Sequence, residues 1–361
     1  VKKAALWKGA KRIAGTPKRI AGTAIRIGRT VGRVVAQHQA QGQLLRQVSR
    51  HRKDLRLVQD NLRAIKADDV ILVSCLRNEL VRLPFFLQYY RNLGVDRFLF
   101  IDNDSTDGFK DWIRTFEDCS VWHTKASYLA SNFGMQWCNH ILSRYGNGHL
   151  CLTVDPDEFL VYPHMTTRNL KDLGVYLRDD ERESMHVVML DAYGNGALSE
   201  TIYKAGDNPF EICPYFDRDG YIQRPGINAS TWIQGGPRMR VYTRENPELA
   251  PALNKMPLVW WKPQFCYRSS MHDGYPVKLN RAHIPREVSL TGCLFHFKLM
   301  SVLLDKAREE IDRKQHYAGS REYRSYLDSD RIRFHETGIS VKYESPEQLI
   351  ELGLMSAGSW I

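Results

Sequence analysis

The sequence predicts an α/β protein: a mainly parallel sheet flanked by helices, preceded by a basic helical extension. Three observations predict it. Short apolar runs alternate with helix-like stretches from Val70 onward, the pattern of βαβ units in a parallel sheet. Two of those runs end abruptly in acidic clusters, Asp102-Asn103-Asp104 and Asp155-Pro156-Asp157-Glu158. Positive charge is gathered at one end. Residues 1–66 hold 17 Lys and Arg against two acids, Asp54 and Asp60, whereas the remainder holds 34 basic and 39 acidic side chains (51 less 17, and 41 less two). A net-acidic body argues against nucleic acid as its partner, since that needs a basic face.

A chain of 361 residues accommodates one large or two modest domains, and the charge step places a boundary near residue 67. Residues 1–35 carry ten basic residues and no acid, with Trp7, Ile13, Ile20, Ile25, Ile27, Val31, Val34 and Val35 among them. No apolar run approaches the roughly 18–20 residues that span a bilayer. The expected form is a basic amphipathic helix lying on an anionic membrane surface. Gly9, Gly15, Pro17, Gly22 and Gly28 are expected to interrupt it. Residues 37–66 read as a better helix. Val48, Leu55 and Leu62, with His51, Val58 and Ile65, form a heptad-spaced stripe suited to docking on the body or to homo-oligomer contact. The seven cysteines are scattered without a CxxC pair, the usage expected of reduced structural thiols in a cytosolic compartment.

Within the body, Val70–Ser74 is the first strand, followed by a helix through about Asn92 that Gly94 closes. Phe98–Ile101 is the second strand and ends in the turn-prone run from Asp102 to Gly108. A helix through about Phe116, a strand near Val121 and a helix over about 132–145 follow. The run Leu150–Val154 is then a buried strand, stopped by Pro156, which has no N–H to donate. In a parallel sheet both acidic strand ends lie on one edge, where ligands bind. Asp155 and Asp157, two apart, repel each other unless a cation stands between them or one is protonated. Mg²⁺ or Mn²⁺ bridging to a diphosphate meets that need, because hard oxygen ligands suit both ions. The Asp102/Asp104 cluster suits the N–H and O–H donors of a nucleoside.

In the second half, Met185–Leu190 is a strand ending at Asp191. Gly235-Gly236-Pro237 reads as a turn that lets backbone approach a ligand closely, ahead of a basic strand from Arg238 to Arg244. Arg238 and Arg240 are then positioned to neutralise phosphate. Trp260 and Trp261 suit either sugar stacking or core packing. His296 closes the apolar stretch Cys293–Phe295, ahead of a helix from about Met300 to Arg313.

The run LVSCLRNELVRLPFFLQYYRNLGVDRFLFIDNDSTDG, followed by TVDPDEFL, resembles the family 2 type glycosyltransferases, and most closely a bacterial branch with a DPDEF-like motif. The resemblance continues through MLDAYGNG, YIQRPGINASTWIQGGPRMRVY, NKMPLVWWKP, SMHDGYPV, GCLFHFKLMSVLLDKAREEIDRKQHYAG and VKYESPEQLIELGLM, covering about residues 70–355. It implies a GT-A fold in residues 67–361, with a nucleotide-sugar half over about 67–190 and an acceptor half with C-terminal helices over about 191–361. It also implies an inverting, metal-dependent transfer from a nucleotide-sugar donor, with uridine as the expected base, to a glycan or lipid-linked acceptor in surface polysaccharide synthesis. By position, Asn78 and Glu79 match the first-strand loop over the nucleotide. Asp102 and Asp104 match base and ribose contacts, Asp155 and Asp157 the metal–diphosphate motif, and His296 the C-terminal metal histidine. The family's common VDDGSTDG reads IDNDSTDG here. Inversion needs a base for the acceptor hydroxyl, and Asp191, His272 and Asp273 are the candidates. The basic stretch 1–35 and the reduced cysteines set the expected location at the cytoplasmic face of the cell membrane. The competing readings are a haloacid-dehalogenase-like phosphatase, in which the first Asp of such a motif is a nucleophile, and an inactive glycosyltransferase-fold scaffold at the membrane.

Overall fold

A computed structural model describes residues 17–283, 289–313 and 332–360. The chain divides into two units, Val1–Gln43 and Leu44–Ile361. The first is helical from Pro17, where helix α1 (Pro17–His51) starts. Pro17 opens this helix rather than breaking it, because the first turn has no N–H partner to lose. The helix also runs through Gly22 and Gly28, each of which costs only about 1 kcal/mol relative to Ala. Trp7 and Ile13 of the expected basic helix lie outside the described residues. No helix among the described residues is long and apolar enough to cross a membrane.

The second unit opens earlier than the charge step suggested. The last turns of α1 bury Leu44 and Val48, and the helix ends at His51 instead of continuing to residue 66. Residues 55–59 follow a two-residue period, with Leu55 and Leu57 turned inward and Val58 outward. That alternation prevails over the heptad stripe. Arg56–Gln59 is an edge strand, β1, and Leu62 and Ile65 pack on the body's core. The proposed 37–66 oligomer stripe is therefore split between a helix end and the sheet.

The remaining elements follow in chain order. Strand β2 (Ile71–Leu76), helix α2 (Leu83–Asn92), strand β3 (Arg97–Asp102), helix α3 (Phe109–Trp112), strand β4 (Cys119–His123), helix α4 (Met135–Tyr145) and strand β5 (Leu150–Thr153) form the alternating portion. Then come β6 (Glu158–Val161), α5 (Leu170–Asp179), β7 (Ser184–Tyr193), α6 (Pro209–Ile212), β8 (Tyr215–Asp217), β9 (Ile222–Pro225), β10 (Thr231–Gln234) and α7 (Gly236–Tyr242). The chain closes with β11 (Asn254–Trp260), β12 (Cys266–Tyr267), β13 (Gly274–Tyr275), β14 (Gly292–Leu299), α8 (Val302–Arg313), β15 (Ser340–Lys342) and α9 (Pro346–Glu351).

Among the described residues the central sheet has eleven strands in the order β1-β4-β3-β2-β5-β11-β7-β14-β6, with β8 and β15 attached beyond β7. The β4-β3-β2-β5 block is parallel, as expected from the alternating sequence. Beyond it the sheet is mixed: β11 runs antiparallel to both β5 and β7, β14 is parallel to β7, and β6 is antiparallel to β14. The parallel strands are buried on both faces, so they read as unbroken apolar runs. Leu72, Phe98 and Phe100 face α2, through Phe86 and Tyr90. Ile71, Val73, Leu99 and Ile101 belong to the opposite layer with Trp137, Ile141 and Leu142 of α4. Side chains alternating across the pleat thus separate two cores. All seven cysteines are free and all but Cys75 are buried, consistent with structural thiols.

Candidate functional site

Counting only the parallel strands, the order is third, second, first, fourth, and it reverses between β2 and β5. The crevice outside the carboxyl ends of strands at such a reversal is where doubly wound sheets bind ligands. A cavity of about 220 Å³ lies at this position. Leu76 and Arg77 line it from the end of β2, Asp155, Pro156 and Asp157 from the end of β5, His296 and Lys298 from β14, and Leu303, Lys306 and Arg313 from α8. Glu79, Arg82 and Asn103 complete its polar wall. A second hollow opens beside it, sharing Arg77, Asn103 and Arg313 and adding Asp104 and Lys125.

The turn after β5 is held by its own third acid. The Asp155 N–H donates to Glu158 Oε2 at 3.1 Å, and the Glu158 N–H donates to the Asp155 carbonyl at 3.0 Å. Glu158 is buried against the Lys255 ammonium, which also lies 3.7 Å from Asp155 Oδ2. Asp155 keeps 47% of its side chain open to the cleft. The surrounding walls still desolvate it, and with Glu158 and Asp157 nearby they push its carboxyl up to about 7 against the pull of Lys255.

His296 owes its place to sheet register. On β14 it stands opposite Asp191 of β7 on one side and Glu158 of β6 on the other. Its Nδ1 lies 2.7 Å from Asp191 Oδ1, and its Nε2 lies 3.4 Å from Asp157 Oδ2. Asp191 in turn accepts from Arg238 Nε at 2.7 Å. The result is a buried chain, Asp157–His296–Asp191–Arg238. Burial works to raise the Asp157 carboxyl, but His296, Arg82 and Lys298 hold it well below the usual range. Burial likewise works against the His296 imidazolium, yet Asp157 and Asp191 raise its pKa.

No group of three His, Cys, Asp and Glu side chains among the described residues is assembled ready to hold a metal. The residues present nonetheless fit one that a ligand helps to bind. Asp155 and Asp157 supply hard oxygens facing the cavity. A carboxylate on His296 Nδ1 is the usual support of a metal-ligating histidine, and it leaves Nε2 toward Asp157.

The structure redistributes several expected roles. Asp102 is fully buried. It accepts from the Ser105 N–H at 2.8 Å and meets His123 Nδ1 at 3.0 Å, so it shapes the loop rather than touching a nucleoside. Asp104 does face the second hollow, near Lys110, Lys125 and His123. Asn78 accepts from the Thr106 N–H at 2.8 Å and donates to Glu309 at 3.0 Å, which stitches the β2 and β3 loops to α8. Glu79 lines the cavity but is claimed by Arg82 at 3.3 Å and by Lys306.

The expected basic strand after the glycine turn is instead helix α7. Pro237 suits its first turn, and the positive φ values of Gly235 and Gly236 end β10 sharply. A Cβ on Gly235 would lie 2.6 Å from the Gly220 carbonyl oxygen, so this glycine serves chain packing. Gly236 lies by Asp191, and neither glycine lines the cavity. Arg238 and Arg240 turn inward to Asp191 and Asp217 rather than toward a phosphate. Of the three base candidates, Asp191 is engaged by His296 and Arg238. The His272–Asp273 dyad does not form: His272 Nδ1 bonds the Asn254 carbonyl at 2.6 Å, and Asp273 pairs with Arg268 at 2.7 Å. None of the three lines the cavity. Trp261 is core, and Trp260 donates to the Gly174 carbonyl beneath the Arg178 guanidinium, so neither offers a free face for a sugar.

Sequence reasoning missed the cationic wall. Lys298 sits two residues beyond His296 on one strand, and Lys306 and Arg313 are a helical repeat of seven apart on α8. Both spacings were readable as shared faces. Arg77 was readable only as the residue after a strand. Comparison with protein-family models and with curated proteins returned no match.

Proposed function

We propose that this chain is a metal-dependent glycosyltransferase of GT-A type, moving a sugar from a nucleoside-diphosphate donor to a glycan or lipid-linked acceptor with inversion. One observation carries the reading: two strand-end carboxylates, Asp155 and Asp157, share a crevice at the sheet's reversal point with Arg77, Lys306 and Arg313. Carboxylates alone repel a diphosphate and cations alone do not call for paired acids. The two together suit a diphosphate with a divalent cation. Asp155, Asp157 and His296 would hold Mg²⁺ or Mn²⁺, which supplies charge neutralisation on the departing diphosphate. Arg77, Lys306 and Arg313 bind phosphate oxygens, with Arg77 fixed by its bonds to the Asn103 and Asp104 carbonyls. The adjoining hollow, with Asn103 and Asp104, accommodates the nucleoside. A phosphatase using Asp155 as nucleophile is less well supported, because such a nucleophile usually opens its domain, whereas three parallel strands precede the one that Asp155 follows.

The test is release of nucleoside diphosphate from a panel of nucleotide sugars with Mn²⁺ or Mg²⁺. At least one donor is expected to turn over, and phosphate release from simple phosphomonoesters without any nucleotide-sugar turnover contradicts the reading.

We also propose that the basic stretch 1–35 brings the enzyme to an anionic membrane surface where its acceptor resides. Each Lys or Arg at such a surface contributes about 1 kcal/mol, screened over roughly 8–10 Å at physiological salt. Liposome co-sedimentation should show binding to anionic but not neutral vesicles, lost when the ten basic residues of this stretch become Gln. Equal binding by the neutralised variant contradicts the proposal.

A further inference from the structure

We propose that Trp232 and His272 form a subsite for a pyranose ring of the acceptor, beside the Asp155 crevice and outside the diphosphate cavity. The ring's role as acceptor rests on the transferase reading above. The affinity for a sugar rests on these two side chains.

Asn254 puts both of them in place. It opens β11, is 2% exposed and spends its polar atoms on its neighbours. Its carbonyl meets His272 Nδ1 at 2.6 Å, and its Nδ2 donates to the His272 carbonyl at 3.1 Å. Its Oδ1 accepts the Ile233 N–H at 3.1 Å. One asparagine thus ties β10 and the segment carrying His272 to the start of β11. The next residue, Lys255, lies 3.7 Å from Asp155 Oδ2. Because β11 runs antiparallel to β5, its first residues stand at the carboxyl end of β5, the sheet edge that holds the crevice. Neither Trp232 nor His272 lines the cavity assigned to the diphosphate. They stand next to the donor's place without entering it, where an acceptor belongs.

Trp232 has an unused donor and an unused face. Side chains alternate along β10, so Ile233 is buried in the core and Trp232 emerges half-buried on the other face. Its ring neighbour is His272, with centroids 6.0 Å apart and planes inclined at 51°. Unlike Trp260, whose N–H is spent on the Gly174 carbonyl, the Trp232 indole N–H donates to no group among the described residues. An indole with an apolar body and a polar tip suits a ligand that has an apolar face and hydroxyl oxygens.

His272 supplies the complementary acceptor. Its Nδ1 faces a carbonyl oxygen and therefore carries the proton. Burial, and then the Lys255 charge, lower its pKa to about 4, so the ring is neutral near pH 7 and Nε2 is an acceptor. Nε2 meets no donor among the described residues. A pyranose uses all three features: C–H groups of one face lie on the indole, one O–H donates to Nε2, and a hydroxyl oxygen accepts the indole N–H. An ionised phosphate or carboxylate has no proton for Nε2, and an alkyl chain uses neither polar atom.

The backbone around the pair is also constrained. Asn228 and Ala229, ahead of β10, and Ser270, ahead of His272, have φ of 55°, 60° and 48°. Asn280 Nδ2 fixes the first of them by donating to the Asn228 carbonyl at 3.0 Å. Left-handed conformations in residues other than glycine persist where the surroundings hold them, and they gather at ligand sites.

The experiment uses the full-length protein with Mg²⁺ and whichever of UDP, GDP, ADP or CDP binds most tightly. Methyl pyranosides of glucose, galactose, mannose and N-acetylglucosamine are titrated in and followed by saturation-transfer difference NMR, with acyclic sorbitol as control. At least one pyranoside should bind saturably and sorbitol should not. Binding should weaken about tenfold or more in Trp232→Ala and about threefold or more in His272→Ala, while Trp232→Phe, which keeps an aromatic face, stays within about fivefold. Nucleoside diphosphate affinity should change less than about threefold in all three variants, which separates a lost subsite from a lost fold. With the matching nucleotide sugar in place of the diphosphate, undiminished pyranoside binding or transfer to the pyranoside marks an acceptor ring. Displacement gives the ring to the donor and overturns the proposal. Absence of saturable binding by every pyranoside, binding of sorbitol as tight as theirs, or unchanged binding in either Ala variant also overturns it. If pyranosides bind at Trp232 but no nucleoside diphosphate binds, the transferase reading falls and the sugar subsite stands without its acceptor role. If a nucleoside diphosphate binds and no pyranoside does, only this proposal falls.

Discussion

Asp157→Asn should lower nucleotide-sugar turnover by about a thousandfold without unfolding the protein. The Asp157 carboxylate is held ionised by His296, Arg82 and Lys298, and it faces the crevice beside Asp155. The amide keeps the shape but removes the charge and one hard oxygen ligand. Loss of several kcal/mol of metal-borne stabilisation, taken as about 4 kcal/mol, corresponds to roughly three orders of magnitude in rate. The fold should survive, because the backbone carbonyl of Asp157 still accepts the Phe297 N–H at 2.8 Å and His296 keeps its bond to Asp191. Initial rates of nucleoside diphosphate release with excess Mn²⁺, together with thermal melts, check this. A rate within tenfold of the unaltered protein contradicts the role given to Asp157.

Asp191→Ala should be the most destabilising single change among the predicted site residues, at about 3–5 kcal/mol, the usual cost of removing one partner from a buried ion pair. Asp191 has no exposed side-chain surface and is flanked by Arg238, itself 5% exposed, and by His296. Removing it leaves a guanidinium buried without its carboxylate. Urea unfolding followed by tryptophan fluorescence gives the loss directly. The double change Asp191→Leu with Arg238→Met should recover part of it, because two apolar groups replace a pair whose desolvation was itself costly. A loss below about 1 kcal/mol for Asp191→Ala would place the residue outside the supporting chain.

What could be read from the sequence follows from how local each signal was. The parallel block was legible because its strands are apolar on both faces and two of them run into turn-forming acidic clusters, so Val70–Ser74, Phe98–Ile101 and the run before Asp155 stood out. The extent of antiparallel pairing was not, since β11 and β6 are also short apolar runs and pairing partners leave no mark on a single strand. The Asp155/Asp157 site was visible for the same local reason. Asp102 misled because an acid at a strand end looks alike whether it caps its own loop or meets a ligand. The two cases differ only in the Ser105 N–H and His123 around it. Arg238 misled through secondary structure. A glycine pair before Pro-Arg-Met-Arg reads as a turn into a strand, but the helix it opens turns both arginines inward. Arg82, Lys298, Lys306 and Arg313 are far apart in sequence and ordinary by type, and only the approach of α2, β14 and α8 gives them a common wall.

The central claim is that Asp155 and Asp157 bind a divalent cation together with a nucleoside diphosphate. The direct measurement is Mn²⁺ binding by electron paramagnetic resonance, with and without UDP, GDP, ADP and CDP. Two protein carboxylates and a histidine make a weak site alone, so Mn²⁺ should bind at least about tenfold more tightly when the correct nucleotide is present. By linkage, that nucleotide's affinity should rise by the same factor with Mn²⁺. Asp155→Asn should remove the coupling. Mn²⁺ affinity unchanged by every nucleotide, or coupling that survives in Asp155→Asn, would contradict the account.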